Sequence, residues 1–219
     1  MLSLTKKSKE NKDNKESARS CLIASACRLF AKLGLDKTST RDIAQDSNVN
    51  ISMISYHFGG KEGLYKQVLQ DFAEAITKNI VLIEQKFISI DMTKNSFKEE
   101  MSDIIDNMIR TRIENPEICT LLSREKIEGM PLSREIHEKI FYPLVQKFLA
   151  IIDKAQKKKI VRTDINPTLF FILMTEGLFG FFEMAACKTQ LSNHYEDLVS
   201  DPVQLRNQII KIYLEGIIL

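Results

Sequence analysis

Apolar side chains recur every three or four residues along most of the chain, which is the spacing of one face of an α-helix. The first such pattern runs from Ser17 to Leu33 and is followed by Gly34, a residue type that often ends helices. The segment KTSTRDIAQDS then predicts a short helix capped by Ser39 or Thr40. Glycine and proline are scarce, at 8 and 5 of 219 residues, so the chain is predicted to be all-α. Further helices are predicted over residues 61–87, 96–114, 116–128, 132–158, 167–188 and 202–219.

Residues 48–60, NVNISMISYHFGG, first resemble a β-strand because apolar and polar residues alternate. A single strand in a helical chain would have no partner for its backbone hydrogen bonds. The helical alternative places Ile51, Ile54 and Phe58 on one face, where they can pack against the preceding helix. Asn48 tolerates the left-handed conformation of a sharp turn, and two glycines end the helix. The stretch is therefore predicted to be the second helix of a helix-turn-helix, which enters the DNA major groove.

The outward face of this short helix carries side chains that are unusual for a surface meeting only water. An exposed methionine, tyrosine and histidine on two helical turns favour a DNA-reading surface over the alternative, an ordinary helical corner. Arg41, at the start of the preceding helix, is a candidate for a guanine contact. The outward residues are Ser52, Met53, Ser55, Tyr56 and His57.

Charge is unevenly spread along the chain. Residues 1–66 carry 12 lysines and arginines against 7 aspartates and glutamates, whereas residues 67–219 carry 19 against 22. The basic end suits a polyanion such as DNA. Part of this excess comes from the lysines of residues 1–15, which are predicted to form a flexible basic arm.

The residues that could carry metal, redox or phosphate chemistry do not form the required patterns. Cys21 and Cys27 have apolar neighbours, which favours small core residues over a redox sensor. HEKIF, residues 137–141, lacks the second histidine of a zinc-protease helix. GGKE, residues 59–62, lacks the rest of a phosphate-binding loop. Neither a metal, a cofactor nor an enzymatic activity is predicted.

The segment TSTRDIAQDSNVNISMISYHFGGKEGLY, within residues 17–69, resembles the N-terminal domain of the TetR family of bacterial transcriptional regulators. The resemblance implies a three-helix DNA-binding domain, a connecting fourth helix, and a helical domain for ligand binding and dimerisation. The implied boundaries are 1–15 for the arm, 16–62 for the DNA-binding domain and 63–219 for the remainder. LLSREKIEGMPLSREIHEKIFYPLVQKF, residues 121–148, is similar to the C-terminal domain of CecR-like members of that family.

The resemblance also implies roles for individual residues. Thr40 and Arg41 would open the helix that crosses the DNA backbone, and Tyr56 and Lys61 would hold phosphates. The positions that would face the groove are Ile51, Ser52, Met53, Ser55 and His57.

The chain departs from the family's pattern at three positions. Ser55 replaces a frequent tyrosine, Ile51 a frequent polar residue, and Asn48 the usual turn glycine. A helix with Ile51 and Met53 can touch thymine methyl groups but forms few hydrogen bonds to bases. Phosphate contacts and DNA shape are therefore expected to supply much of the affinity.

Residues 169–186, LFFILMTEGLFGFFEMAA, are the most apolar stretch and allow three interpretations. A membrane span is disfavoured because two glutamates interrupt it. A buried or dimer-forming helix is favoured: Gly177 and Gly180 permit close helix approach, and the last two helices of the family typically form a four-helix dimer interface. A ligand pocket is compatible with that interpretation. Its candidate lining residues are Met174, Glu176, Phe179, Phe182, Glu183 and Met184.

Together these observations predict a cytoplasmic, homodimeric transcriptional repressor. It would leave a palindromic double-stranded DNA operator when a small, largely apolar ligand binds its C-terminal domain. The dimer is expected to form through the two C-terminal helices, without membrane contact. Two alternatives remain: a DNA-processing enzyme that uses the helix-turn-helix for targeting, and a helical small-molecule-binding protein without a DNA function.

Overall fold

A computed structural model describes the backbone of residues 2–87, 90–187 and 189–219, and the side chains of these ranges from Ser17 onward except that of Ser192. Each predicted helix is present and the described ranges contain no strand, so the all-α prediction is confirmed. The helices are α1 (Leu2–Leu33), α2 (Thr40–Ser47), α3 (Ser52–Phe58), α4 (Lys61–Phe87), α5 (Lys94–Glu114), α6 (Pro116–Ile127), α7 (Arg134–Ile136), α8 (Tyr142–Lys157), α9 (Pro167–Ala186), α10 (Glu196–Ser200) and α11 (Pro202–Ile209).

Three shorter segments complete the helical chain. A π-helical turn, His137–Phe141, joins α7 to α8, and a second one, Ile210–Leu214, extends α11. A 3₁₀ turn, Gln190–His194, precedes α10, a helix that the periodicity did not predict. α1 begins at Leu2, so the backbone of the stretch predicted as a basic arm is helical.

The helices pack into two compact units. The first contains the chain up to Glu74 together with Pro116–His137, and the second contains Ala75–Asn115 and Glu138–Leu219. The boundaries implied by the family resemblance remain predictions. The packing adds the first half of α4 and all of α6 and α7 to the unit that holds α1, α2 and α3.

α6 belongs to the first unit because its side chains bond to α1 and α4. The guanidinium Nη1 of Arg124 donates a hydrogen bond to the carbonyl oxygen of Phe30 (2.9 Å), near the end of α1. Cations stabilise helix C-termini, where carbonyl groups lack partners within the helix. The core below this contact contains Leu22, Ala26, Phe30, Ile43, Ile54, Leu64, Leu69, Ile118 and Leu121.

Two of the cysteines bear on the redox alternative. Cys27 is half-buried, but Cys21 is exposed, so the prediction of a core position is wrong for Cys21. Burial, with the negative charge of Glu117 as a smaller cause, raises the pKa of the Cys27 thiol to about 11. A thiol with so high a pKa is a poor nucleophile at neutral pH, which weighs against a redox sensor at Cys27.

The second unit encloses a continuous apolar core. α5 contributes Phe97, Met101 and Ile105, and α8 and α9 face it with side chains that include Ile152 and Met174. The chain end closes this unit by pairing with the loop after α8. The N–H of Leu219 donates to the carbonyl oxygen of Ile160 (3.0 Å), and Val161 and Ile218 form an antiparallel bridge.

α9 is half in the core and half on the surface. Phe170, Met174, Thr175 and Leu178 are buried, whereas the opposite side of the helix is in contact with solvent. By length and composition α9 could cross a membrane, and among the described residues it is the one helix that meets this criterion. A helix of a soluble protein with one face in a core and one in an interface reaches the same composition.

Candidate nucleic-acid interface

The start of α2 is fixed by reciprocal hydrogen bonds. The Ser39 hydroxyl accepts a hydrogen bond from the N–H of Asp42, and the Asp42 carboxylate accepts one from the N–H of Ser39, both at 3.1 Å. This capping box satisfies N–H groups that a helix leaves free at its start. The hydrogen bond from the Ser39 hydroxyl, followed by that from its N–H, holds the pKa of Asp42 below its usual value. Thr40 and the exposed Arg41 thus stand in a well-capped first turn.

A polar cluster beneath α2 fixes this helix against α1. The Asp46 carboxylate accepts hydrogen bonds from the Ser25 hydroxyl (2.6 Å) and the Arg28 guanidinium (2.7 Å). These hydrogen bonds, with that from Ser25 the larger cause, keep the pKa of Asp46 below its usual value. The position of α2 therefore depends on a charged contact as well as on the buried Ile43 and Ala44.

The turn between α2 and α3 has the geometry predicted for it. Asn48 has φ 54° and ψ 35°, in the left-handed region that asparagine tolerates, so this prediction is confirmed. Its N–H bonds back to the carbonyl groups of Ala44 and Gln45 and closes α2.

The side chain of Asn50 caps α3, a role that the sequence reasoning missed. Its Oδ1 atom accepts hydrogen bonds from the N–H (2.9 Å) and the hydroxyl (2.8 Å) of Ser52. An asparagine two residues before a helix is a known signal for such a cap, and the strand-like alternation concealed it.

The packing face of α3 is smaller than predicted. Ile54 is buried and Phe58 is half-buried, but Ile51 is 46% exposed. The prediction that Ile51 packs against α2 is therefore wrong. Its exposure agrees instead with the outward position that the family resemblance implies.

The outward side of α3 carries three exposed side chains besides Ile51. Ser52 and Ser55 are exposed, and Tyr56 is 67% exposed, whereas Met53 is half-buried. The surface alternates hydroxyl groups with apolar groups over less than two turns. Such a surface can contact phosphates, base edges and thymine methyl groups together.

His57 is more enclosed than an outward histidine would be. Its ring centroid lies 4.9 Å from that of Tyr56 and 5.8 Å from that of Phe58. Its Nε2 atom is buried and has no hydrogen-bond partner among the described residues. The arrangement supports the ring of Tyr56, and a base contact by His57 remains a prediction.

The side chain of Lys61 bonds to the loop before α2. Its ammonium donates to the carbonyl oxygen of Leu35 (2.8 Å), and the carbonyl oxygen of Asp36 is 3.5 Å away. Lys61 therefore fastens the α1–α2 loop to the start of α4. The predicted phosphate contact remains a prediction, and it would have to share this ammonium with the loop.

Two glycines determine how closely α4 follows α3. Gly59 has φ 73°, in the left-handed region that favours glycine, and it ends α3. A Cβ atom on Gly63 would lie 1.8 Å from the carbonyl oxygen of Phe58. Only glycine lets the first turn of α4 come this close to the last turn of α3.

A buried carboxylate ties α6 to the same unit, and the sequence reasoning missed it as well. Glu125 is 3% exposed and accepts hydrogen bonds from the N–H groups of Leu132 (3.1 Å) and Ser133 (2.9 Å). Burial, with the charge and hydrogen bonding of Glu125 as smaller causes, raises the pKa of Tyr65 in α4. Glu125 thus links α4 to the turn after α6. No periodicity rule predicts a buried glutamate with its partners eight residues away or on another helix.

The six residues predicted to line a ligand pocket are spread around α9. Met174 is buried, Phe179 and Phe182 are half-buried, and Glu176, Glu183 and Met184 are exposed. Arg112 connects two of them, since its guanidinium lies 4.1 Å from the Phe179 ring centroid and 3.9 Å from the Glu183 carboxylate. The role of the six in ligand binding remains a prediction.

A cavity of about 370 Å³ lies elsewhere in the second unit, and none of those six residues lines it. It is bounded by the end of α4, the segment before α5, the first turns of α5, and α8. Its volume falls within the range of small-molecule sites, about 300–1,000 Å³. It is a second candidate location for a ligand.

Comparison with known proteins agrees with this geometry. The family described as "Bacterial regulatory proteins, tetR family" matches residues 22–68, which span α2, α3 and parts of α1 and α4. The chain is 27% identical over 164 residues to the "Probable HTH-type transcriptional regulator YttP" of Bacillus subtilis, covering 75% of this chain and 76% of that protein.

Similarity to other proteins extends beyond the matched segment. The "HTH-type transcriptional dual regulator CecR" of Shigella flexneri is 26% identical over 212 residues, covering 93% of this chain and 92% of that protein. The crystal structure of a TetR-family transcriptional regulator from Haemophilus influenzae has a TM-score of 0.64 at 17% identity, covering 94% of this chain and 99% of that one. The helical fold is thus shared along nearly the whole length.

Proposed function

This chain belongs to the TetR family of DNA-binding transcriptional regulators, and from that premise we propose that it is a homodimeric repressor released from its operator by a small ligand. The observation that carries the proposal is α3. Ile51, Ser52, Ser55 and Tyr56 are exposed on its outward side. The caps at Asn50 and Gly59 and the buried Ile54 fix the helix on its other side. A short helix held in this way can enter a major groove without rearranging.

The exposed side of α9 supports the homodimer. Leu169, Ile172, Leu173 and Met184 are exposed and share one side of the helix, together with Gly177 and Gly180. Glu176 and Glu183 are exposed on the same side, but Leu169, Ile172 and Leu173 group together at its start, and an exposed apolar surface of this kind marks an interaction site. A second copy of the chain would cover it with the same surface and place two α3 helices on a palindromic site.

The packing of α6 supports regulation by a ligand. Arg124 bonds to the end of α1 and Glu125 to the turn after α6, so a shift of α6 would disturb the unit that carries α3. A ligand that binds more tightly to the shifted form would lower the DNA affinity by the difference in its two binding free energies. We place the protein in the cytoplasm, where its DNA is.

The enzymatic alternative is not favoured, because the similar proteins are transcriptional regulators. No step of the proposed function needs a catalytic group, a metal or a cofactor.

Selection of binding sites from random duplex DNA by the purified full-length protein tests the proposal. We expect an enriched palindromic sequence whose half-sites are about one helical turn or somewhat more apart. Binding that depends on salt but enriches no sequence would contradict the proposal.

Two substitutions then separate base contacts from phosphate contacts on the selected site. Arg41→Ala should cost about 1–3 kcal/mol on that site and little on random DNA, because a guanine contact carries sequence information. Lys61→Ala should weaken binding to the selected site and to random DNA alike. It should also reduce the slope of the logarithm of the binding constant against the logarithm of the salt concentration by about one. If Arg41→Ala loses equal affinity for the selected site and for random DNA, Arg41 does not contact a base.

A further inference from the structure

We propose that the cavity between α4, α5 and α8 is the effector site, and that it takes a small amine with an apolar body, recognised by Glu100. This inference rests on the proposed function, because it names the class of ligand that would release the repressor. It assigns the ligand to a place that the sequence did not predict.

Five of the nine described residues that line the cavity are apolar. Phe87 and Met92 are buried, Ile151 is half-buried, and Ile90 faces the opening with much of its side chain exposed. An apolar molecule that covers Ile90 and fills the space beside Ile151 removes apolar surface from water, which favours binding.

One of the two carboxylates in the cavity has no hydrogen-bond partner among the described residues. Glu84 and Glu100 both line it, but Glu84 is already bonded to the Lys147 ammonium at 2.7 Å. Glu100 is half-buried and has no hydrogen-bond partner among the described residues. Burial raises the pKa of Glu100, and the positive charge of Lys154 offsets this shift only in part, so the charged form of Glu100 would gain from a closer cationic partner.

The other polar groups at the cavity favour an amine over a carboxylate. Lys154 is exposed on α8, so its ammonium is already hydrated and an anion would gain little from it. The N–H of Ser96, in the first turn of α5, is taken by the Thr93 hydroxyl at 3.2 Å.

The test uses three probes that share one apolar body: phenylbutylamine, phenylbutyrate and phenylbutanol. Binding to the full-length protein is measured by calorimetry and by the rise in melting temperature that ligand binding causes. We expect phenylbutylamine to bind most tightly, phenylbutanol more weakly and phenylbutyrate most weakly. Phenylbutyrate binding as tightly as phenylbutylamine would overturn the proposal.

Three variants locate the site. Glu100→Gln should weaken phenylbutylamine binding about tenfold or more, since it removes a charged partner, and should leave phenylbutanol binding almost unchanged. Glu99→Gln is the matched control, because Glu99 is exposed on the same helix and is absent from the cavity lining; it should bind all three probes as the unmodified chain does. Ala150→Phe, on the exposed side of α8, should block the cavity and weaken the amine and the alcohol together.

The outcomes separate this inference from the function on which it rests. Unchanged phenylbutylamine affinity in Glu100→Gln overturns the site, even if the protein binds an operator in the selection experiment. Affinity that depends on Glu100 in a protein that selects no DNA sequence supports the amine site and overturns the repressor function instead.

Discussion

The helices α3 and α9 both expose large apolar side chains, but they do so in different settings. On α3, Ile51 and Tyr56 are separated by the hydroxyl groups of Ser52 and Ser55. On α9, Leu169 and Leu173 are each 56% exposed and lie one helical turn apart, with Ile172 beside them. On α3 the apolar and polar groups are mixed over seven residues, whereas on α9 the apolar groups form a stripe over the first two turns, beyond which Glu176 and Glu183 are exposed on the same side.

This difference indicates two different partners. A surface that alternates hydroxyl and apolar groups suits DNA, which offers phosphates, base edges and thymine methyl groups close together. The apolar stripe of Leu169, Ile172 and Leu173 suits another apolar surface, and its desolvation favours association. The same feature, exposed apolar area, therefore has opposite functional meaning in the two units.

The largest expected effect comes from placing charges on the α9 stripe. Ile172→Asp combined with Leu173→Asp should leave the fold intact, because both side chains are exposed, but it should bury four carboxylates in a symmetric dimer. We expect a monomer in analytical ultracentrifugation. Operator affinity should fall about 100-fold or more, since two linked heads bind far more tightly than one.

Ile127→Asp is the control for this double substitution. Ile127, at the end of α6, is 83% exposed and lies outside the stripe. The Ile127→Asp variant should remain dimeric. A dimer that persists in the double variant would show that α9 does not form the interface.

A smaller effect is expected from the two glycines of α9. A Cβ atom on Gly177 would lie 2.3 Å from the hydroxyl oxygen of Tyr213, which donates to the carbonyl oxygen of Leu173 at 3.0 Å. Gly177→Ala should therefore lower the free energy of unfolding by about 1–3 kcal/mol through overpacking, as measured by urea denaturation. Gly180→Ala should leave the free energy of unfolding almost unchanged, because no side chain of the described residues lies within 4 Å of the Cβ position there.

A double variant shows whether the tyrosine is the cause. Tyr213→Phe removes the hydroxyl oxygen, and the nearest ring carbon is then 3.5 Å from the added methyl group, an ordinary contact. Stability lost in Gly177→Ala should be largely recovered in the double variant. A loss of unfolding free energy in the double variant that equals the sum of the losses in the two single variants would contradict this explanation.

The smallest effect concerns the polar support of the DNA-reading unit at low pH. The folded-state pKa of Asp46 is depressed, so its contribution to stability is present above the ordinary value of 3.8 and is lost as the pH falls through the lower folded value. In Asp46→Asn, the melting temperature should fall less steeply with acidification than in the unmodified chain.

Asp36→Asn provides the comparison for this titration. The carboxylate of Asp36 is exposed and makes no hydrogen bond among the described residues. The melting temperatures of Asp36→Asn should equal those of the unmodified chain at every pH. If the melting temperatures of Asp46→Asn and of the unmodified chain fall equally steeply with acidification, Asp46 is not a cause of the loss of stability at low pH.

Local rules were sufficient where neighbouring residues determine the structure. The helices other than α10, the capping of α2 by Ser39 and the left-handed Asn48 depend on residues within a few positions, so the sequence could predict them. The outward positions of Ser52, Ser55 and Tyr56 followed from the helical period and from the family resemblance.

Local rules were insufficient where distant segments decide the environment. The exposure of Ile51 depends on how α3 sits against α2, and the buried Glu125 depends on the packing of α6 against α4. The cavity beside Glu100 is bounded by segments that are more than fifty residues apart in the chain, from Glu84 to Lys154. No periodicity in one helix contains that information.

The close approach at Gly63 has a mechanical consequence. Because the carbonyl oxygen of Phe58 occupies the place of a side chain on Gly63, the last turn of α3 and the first turn of α4 leave no slack between them. α4 continues without interruption from this point past Glu74, the last residue of the first unit, into the second unit. Within the first unit, a tilt of the first turn of α4 would therefore turn α3 with it, because no flexible joint lies between the two helices.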